Sequence, residues 1–337
     1  MKLLILGGTK FLGRHIVDAA LAKGHEVTLF NRGNTNPDLY PDLESLRGDR
    51  DSGLAPLKGR RWDVVIDPSG YAPRIVRDSA ELLADVVEHY TFISSISVYS
   101  DFSEPGIDEN SPVATLEDET VEEVTGDTYG ALKALCEQAA EAIMPGRVLN
   151  VRAGLIVGPH DPTNRFTYWP VRVSKGGDVL APDSPDYPIQ FIDGRDLAAW
   201  VLRMAEGRKG GIYNVTGPDT TMTMGKLLET CKAVSGSDAS FVWMDEDFLL
   251  EKEVSPWSEL PLWLPQGWGG MHATDVGKAV ADGLTYRPVD ETVRATLDWQ
   301  ATHMGELPKT DGMSLPPAGL DAEKEARILA SWRARPD

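Results

Sequence analysis

A short apolar run at residues 2–6 ends directly on Gly7-Gly8, and a helical period starts three residues later. A buried strand, a glycine turn and a helix at the head of a chain point to a parallel crossover. Two parallel strands cannot be joined by a tight turn, and a helix is the usual bridge.

The pattern repeats. Residues 11–23 put Leu12, Ile16, Ala19 and Ala20 on one helical face, and 25–30 read as a second strand with Val27, Leu29 and Phe30. Residues 62–67 (WDVVID) form another buried run, followed by a helix over 75–87 and a strand over 90–94. A long helix over 128–144 is halted by Pro145-Gly146, and 147–152 (RVLNVR) is the next strand. This alternation predicts an α/β fold: a doubly wound parallel sheet with helices on both faces and right-handed crossovers. After Gly158-Pro159 proline and glycine become frequent. Strands near 188–192 and 211–215 alternate with helices over 196–206 and 224–235. A loop-rich stretch, 255–270, carries Trp257, Trp263 and Trp268. Helices follow near 275–282 and 290–303, then a Pro/Gly connector over 308–319 and a charged helix over 321–335.

The turn after the first strand, Gly7-Gly8-Thr9-Lys10-Phe11-Leu12-Gly13, is where a dinucleotide's pyrophosphate binds in such sheets. Glycine allows close backbone approach, and the helix N-terminus offers N–H donors and a positive dipole end. The usual three-glycine spacing would put glycine where Lys10 stands; that lysine either reaches a phosphate or points to solvent. The second strand ends on Asn31-Arg32, where a carboxylate would select the free ribose 2′-hydroxyl. A neutral residue followed by arginine favours NADP(H), with NAD as the alternative. Asp49, after Gly48, either accepts from the adenine amino group or caps a helix.

Tyr129 and Lys133 stand at i and i+4 on the helix after the fifth strand, so they share a face. A phenol is a poor base at its ordinary pKa near 10, and a neighbouring cation favours its phenolate. Such a tyrosine can pass a proton while hydride moves at a nicotinamide. Upstream, Ser94-Ser95-Ile96-Ser97 lies at the carboxyl end of a strand, at the mouth of the predicted cleft.

The glycine loop, Ser-Ser-x-x-Val-Tyr, Tyr129-x-x-x-Lys133, the stretch from Val151 to Pro159, and Phe191-Ile192-Asp193-Gly194-Arg195-Asp196 occur in that order. Together they resemble the extended short-chain dehydrogenase/reductase superfamily, the NAD-dependent epimerase/dehydratase group, over about residues 1–305. The resemblance implies a Rossmann-type dinucleotide domain at 1–160, with elements from about 188–216. A smaller C-terminal α/β substrate lobe would take mainly 161–305, and a connector and helix 306–337. It gives Ser95, Tyr129 and Lys133 as the catalytic residues. The cofactor residues would be Gly7, Thr9, Lys10, Phe11, Leu12, Gly13, Asn31, Arg32, Asp49, Ser69, Gly70 and Lys133. Asp67-Pro68-Ser69-Gly70 departs from the family's apolar strand ending, so Ser69, Gly70 and Tyr71 are expected to shape the site unusually. Further substrate candidates are Ser97, Arg165, Tyr168, Arg172, Gln190 and Trp268. Sugar nucleotides are the commonest substrates of the family, so the expected function is an epimerase or reductase acting on a secondary alcohol or ketone. Dehydration is the weaker option, because Asp101 does not form the family's acid pair. The loop variant GGTKFLG also resembles the chloroplast stem-loop-binding proteins, relatives associated with RNA. That sets the alternative: an inactive cofactor-binding relative serving as an RNA-associated or redox-sensing protein.

The net charge of −19 argues against nucleic acid and anionic lipid as partners. It also makes any arginine or lysine near the glycine loop more informative. Two distant cysteines read as buried thiols, and the six histidines suggest no metal site. No run approaches the roughly 18 apolar residues of a membrane span. The N-terminus lacks the form of a signal peptide, so a cytoplasmic location is expected. A homodimer through the Tyr–Lys helix is what the resemblance implies.

Overall fold

The computed structural model describes residues 1–303 and 318–335. Seven parallel strands form the central sheet. They are β1 (Lys2–Leu6), β2 (Glu26–Asn31), β3 (Glu44–Arg47), β4 (Val64–Asp67), β5 (His89–Ser95), β6 (Val148–Ala153) and, later in the chain, Gly211–Val215. Their order, from the last of these through β6, β5, β4, β1 and β2 to β3, places β1 inside the sheet between β4 and β2, and the order reverses direction there. Ligands of open α/β sheets bind at that reversal, outside the strands' carboxyl ends.

Strands β1, β4 and β6 are buried residue after residue, apart from Lys2, as sheets covered on both faces require. Helices α1 (Phe11–Ala22), α2 (Pro73–Leu83) and α3 (Tyr129–Ile143) connect them. One face packs Leu3, Ile5, Ile16 and Ile66 beneath α1 and the later helix Gly194–Glu206; the other packs Leu4, Leu6, Val65 and Phe92 beneath α2 and α3.

The C-terminal lobe has its own apolar core, including Phe166, Trp169, Leu180, Leu227, Leu249 and Trp263. It holds β7 (Ile156–Val157), α4 (Tyr168–Ser174) and β8 (Asp178–Pro182). The strand expected over 188–192 is two separate pairs, β9 (Pro188–Ile189) and β10 (Ile192–Asp193), broken at Gln190-Phe191. Next come α5 (Gly194–Glu206), β11 (Gly211–Val215), β12 (Met222–Thr223) and α6 (Met224–Ser235). Strand β13 (Ser240–Met244) pairs in parallel with β8. Helices α7 (Glu246–Glu251), α8 (Gly277–Ala281), α9 (Val289–Thr302) and α10 (Ala322–Arg333) complete the described chain. Most of the connector expected at 308–319 lies outside the described residues. Both cysteines are buried and unbridged. Among the described residues no helix is long and apolar enough to cross a membrane.

Candidate active site

The glycine loop is shaped by what cannot fit in it. A Cβ on Gly8 would lie 2.7 Å from Leu29 Cδ2, and one on Gly13 would lie 3.0 Å from the backbone N and Cα of Gly8. Gly7 and Gly8 also take φ of +127° and +94°, where side chains strain the backbone. The first turn of α1 therefore packs directly on the loop. It carries no acidic residue that would oppose an anion at the helix N-terminus. Lys10 is the N-cap in extended conformation, and the carbonyl of buried Thr9 accepts from Asn36 Nδ2 at 2.8 Å. Leu12 is buried in the core, while Phe11 meets His15 edge-on at 6.1 Å. The cradle fits a pyrophosphate.

At the end of β2 the structure corrects one expectation. The Asn31 side chain is engaged inside the fold: it donates to the Gly7 carbonyl at 3.1 Å, and its oxygen accepts from the Gly33 amide at 2.9 Å and from Arg47. It ties β2 to the glycine loop and is not left to grip a ribose. Arg32 beside it is exposed, with no partner among the described residues. Arg47, at the end of β3, brings a second guanidinium to the same corner; the sequence reading missed it because β3 holds one apolar residue in four. Asp49 is exposed, and its carboxylate accepts the Asp51 amide at 3.0 Å, which stabilises a local turn.

The unusual ending of β4 has a structural cause. Asp67 is fully buried and takes both Arg50 nitrogens, Nη1 at 2.7 Å and Nη2 at 2.8 Å. The Tyr90 hydroxyl donates to the same carboxylate at 2.7 Å. A buried charge needs such pairing. The Ser69 amide also donates to Asp67 at 3.0 Å, and its hydroxyl donates to the Leu6 carbonyl at 2.7 Å, so Ser69 is clamped beside Gly7. Gly70 follows where a Cβ would strike Phe92 at 2.6 Å. Arg50 had no motif to announce it.

Ser95 ends β5, and α3 is pressed onto the turn after it. A Cβ on Gly130 would lie 2.0 Å from the Ser97 carbonyl oxygen. That approach brings Tyr129 close to the Ser95 side chain. Burial pushes the Tyr129 phenol up to about 12, helped by the nearby Tyr71; the neighbouring Ser95 hydroxyl and the Arg165 charge pull it down. Lys133 is 3% exposed. Its Nζ donates to the carbonyls of Gly70 at 2.8 Å and Ile93 at 2.6 Å and lies 4.2 Å from the Phe92 ring centroid. Burial lowers its pKa to about 8. An ammonium has three donors, so one remains for a ligand. Tyr71, 46% exposed, stands at the mouth with its ring 6.4 Å from that of Tyr129 and 5.2 Å from Lys133 Nζ. The Ser97 amide donates to Ser95 Oγ at 3.1 Å, and the buried Ser94 hydroxyl has no partner among the described residues.

The substrate-side candidates divide. Arg165 is half-buried, with its guanidinium 5.8 Å from the Trp257 ring, and its charge acts on Tyr129. Tyr168 and Arg172 serve other ends. Tyr168 is 7% exposed and packs on Trp169; Arg172 pairs with Glu325 at 2.6 Å and docks α10. Gln190 clasps a neighbouring loop, donating to the Thr274 carbonyl and accepting its amide, both at 3.1 Å. Trp268 is 47% exposed and stacks on Phe102 at 6.0 Å. Asp193 caps α5, while Asp196 anchors it to Arg287 at 2.7 Å. Among the described residues no cluster of histidine, cysteine or carboxylate could hold a metal ion.

Residues 74–216 match the model of the NAD dependent epimerase/dehydratase family. The fold agrees: the UDP-glucuronic acid 4-epimerase of Bacillus cereus, in complex with NAD, covers 90% of this chain and 99% of its own, with TM-score 0.64 and 16% identity. The chain has the fold of these epimerases, and its middle part matches their family model. A UDP-glucose 4-epimerase from Thermotoga maritima, with UDP-glucose, superposes with TM-score 0.66 over 90% of this chain and 100% of its own at 16% identity. Identities this low carry the family's fold and not its substrates. Among curated relatives, chloroplast stem-loop binding protein of 41 kDa b from Arabidopsis thaliana is 26% identical over 258 residues, 70% of this chain. The match spans 63% of that protein's length. Epimerase family protein SDR39U1 from Bos taurus is 24% identical over 259 residues, 71% of this chain and 82% of its own.

Proposed function

We propose that this protein is an NADP(H)-dependent oxidoreductase that moves hydride at a secondary alcohol or ketone, as an epimerase or a reductase. The observation that carries the reading is the grouping of Ser95, Tyr129 and Lys133 at the carboxyl edge of the sheet, two strands from the glycine cradle. When bound, the nicotinamide supplies the hydride acceptor or donor. Tyr129 takes the proton from the substrate hydroxyl, or returns it to the carbonyl, at its phenol oxygen. Ser95, close by, would hydrogen-bond the reacting oxygen of the substrate. Lys133 contributes a buried positive charge and a remaining N–H for the ribose side. Gly7, Thr9, Gly13 and the first amides of α1 would hold the pyrophosphate, with Ser69 and Gly70 as the adjoining wall.

Preference for NADP(H) is supported by the neutral Asn31 and by two guanidiniums, Arg32 and Arg47, at the corner where a 2′-phosphate would sit. Sugar nucleotides as substrates are supported by the epimerase neighbours, whose solved complexes hold UDP-glucose and NAD. A second reading follows from the similarity to the chloroplast stem-loop binding protein: an RNA-associated, cofactor-binding protein without turnover. The charge of −19 argues against it. One experiment separates the two. NADPH and NADH are titrated by fluorescence, and turnover is then followed at 340 nm with ketones and by epimer formation with sugar nucleotides, beside a stem-loop RNA binding assay. Tighter NADPH than NADH and turnover with at least one substrate are expected. RNA binding without turnover would replace the first reading with the second.

A further inference from the structure

Outside the glycine cradle and the Ser–Tyr–Lys group, one charged side chain of the cleft is left unmatched. Arg165 is half-buried, yet its guanidinium has no hydrogen-bond acceptor and no carboxylate at ion-pair distance among the described residues. Four other arginines with restricted exposure are matched by a carboxylate. Arg50 is held by Asp67, Arg152 by Glu137, Arg172 by Glu325 and Arg287 by Asp196. Partial burial strips water from the cation without replacing it, which is costly unless a ligand anion supplies the missing partner.

The loop that carries Arg165 is built rather than loose. It leaves β7 at the carboxyl edge of the sheet, after β6, whose neighbour β5 ends on Ser95. Asp161, 2% exposed, accepts the Thr163 amide at 2.8 Å and hydroxyl at 2.7 Å, and the Arg165 amide donates to Thr163 Oγ1 at 3.3 Å. Asn164 takes a left-handed φ of +61° and bonds the Ala318 carbonyl. On the other side the Trp257 ring lies 5.8 Å from the guanidinium carbon and limits its movement. The second oxygen of Asp161 makes no bond among the described residues, and burial raises its carboxyl to about 6. Its charge acts on Arg165, but no ion pair or hydrogen bond joins the two among the described residues.

We propose that the substrate carries an oxyanion, a carboxylate or a phosphate ester, that docks on Arg165 close to the carbon whose hydroxyl meets Tyr129. The inference rests on the oxidoreductase reading above and narrows its substrate class. A planar fork of N–H donors suits two oxygens of one anion, and Trp257 holds the fork's face. The strongly negative surface makes an unpaired cation on the substrate side of the site more selective, since it is a local exception that an anionic substrate can use.

The test uses matched pairs that differ in one charged group: glucuronate against glucose, 6-phosphogluconate against gluconate, and UDP-glucuronic acid against UDP-glucose. Affinity for the NADP⁺-loaded protein is measured by calorimetry, and NADPH formation is followed at 340 nm. In at least one pair the charged member is expected to bind about ten-fold tighter or more. The gap should close to within about two-fold in R165Q and be partly kept in R165K. The carboxylate and phosphate pairs tell the two anions apart. Retained NADPH binding and an unchanged melting temperature in R165Q show that the variant is folded. Equal affinities within every pair, a preference that survives R165Q, or no saturable binding of any charged member would overturn the proposal. If the charged members are preferred and lose that preference in R165Q while neither NADPH nor an epimer of any substrate forms, anion docking stands and the hydride reading fails.

Discussion

Arg47 shows at the scale of a residue how sequence and structure divide the information. The neutral Asn31 and the following Arg32 were legible, because a strand end after a glycine loop is a fixed place for choosing the ribose. Arg47 was not, because it reaches that corner from a short strand without an apolar pattern, and pairing of β2 with β3 carries it there. Arg47→Ala is expected to weaken NADP⁺ binding by roughly ten-fold while changing NAD⁺ binding far less. Titration of both cofactors checks this, and equal losses would remove Arg47 from the discrimination. Arg50 and Asp67 teach the same lesson. The odd aspartate was visible as a departure, but its partner lies 17 residues away and only folding pairs them. Asp67→Asn should destabilise the protein by about 3–5 kcal/mol, because the buried Arg50 charge is left uncompensated. Urea denaturation measures it.

Among the elements, α3 was the most legible and depends on the least visible contact. Its apolar period, the Tyr–Lys spacing and the Pro-Gly stop were all readable, and the structure ends it at Ile143. What aligns it is Gly130, whose missing side chain lets the helix rest on the Ser97 carbonyl. Gly130→Ala should therefore push Tyr129 away from Ser95. Turnover should fall by about 10²-fold, as a misplacement near 1 Å costs, while NADPH affinity holds. Loss of both together would mean that the substitution disrupts more than this register. The C-terminal lobe was legible as alternating elements but not as partners. Strands β8 and β13 pair with each other across 62 residues of chain, since Asp178 meets Ser240, and no local pattern encodes that match. For the same reason Tyr168 and Arg172, promising as an aromatic beside a cation, turned out to pack a core and hold α10.

Over the whole molecule, the histidines set the response to acid. Read one by one they looked unremarkable, yet the rings of His15, His160 and His303 form a chain with centroids 5.9 and 6.1 Å apart, beside Trp299. Burial lowers the pKa of His89, His160 and His272 to about 4 each, and that of His15 as well. The unfolded chain takes up these protons near pH 6.5 and the folded protein does not. Stability should therefore decline as pH falls from about 6.5 to about 4, because the histidines bind protons on unfolding, an uptake that the raised Asp161 carboxyl offsets by about one proton. Denaturation midpoints across that range, with His160→Gln reducing the slope by about one proton, check it. The sheet order, the cradle and the Ser–Tyr–Lys group meet at one edge of this frame, and the central claim is that Tyr129 moves the proton there. The most direct measurement is NADPH binding and oxidation by wild type and Tyr129→Phe with a substrate found in the panel. The account predicts equal NADPH affinity and a rate at least about 10²-fold lower in the variant. A variant that binds NADPH and turns over at the wild-type rate would contradict it.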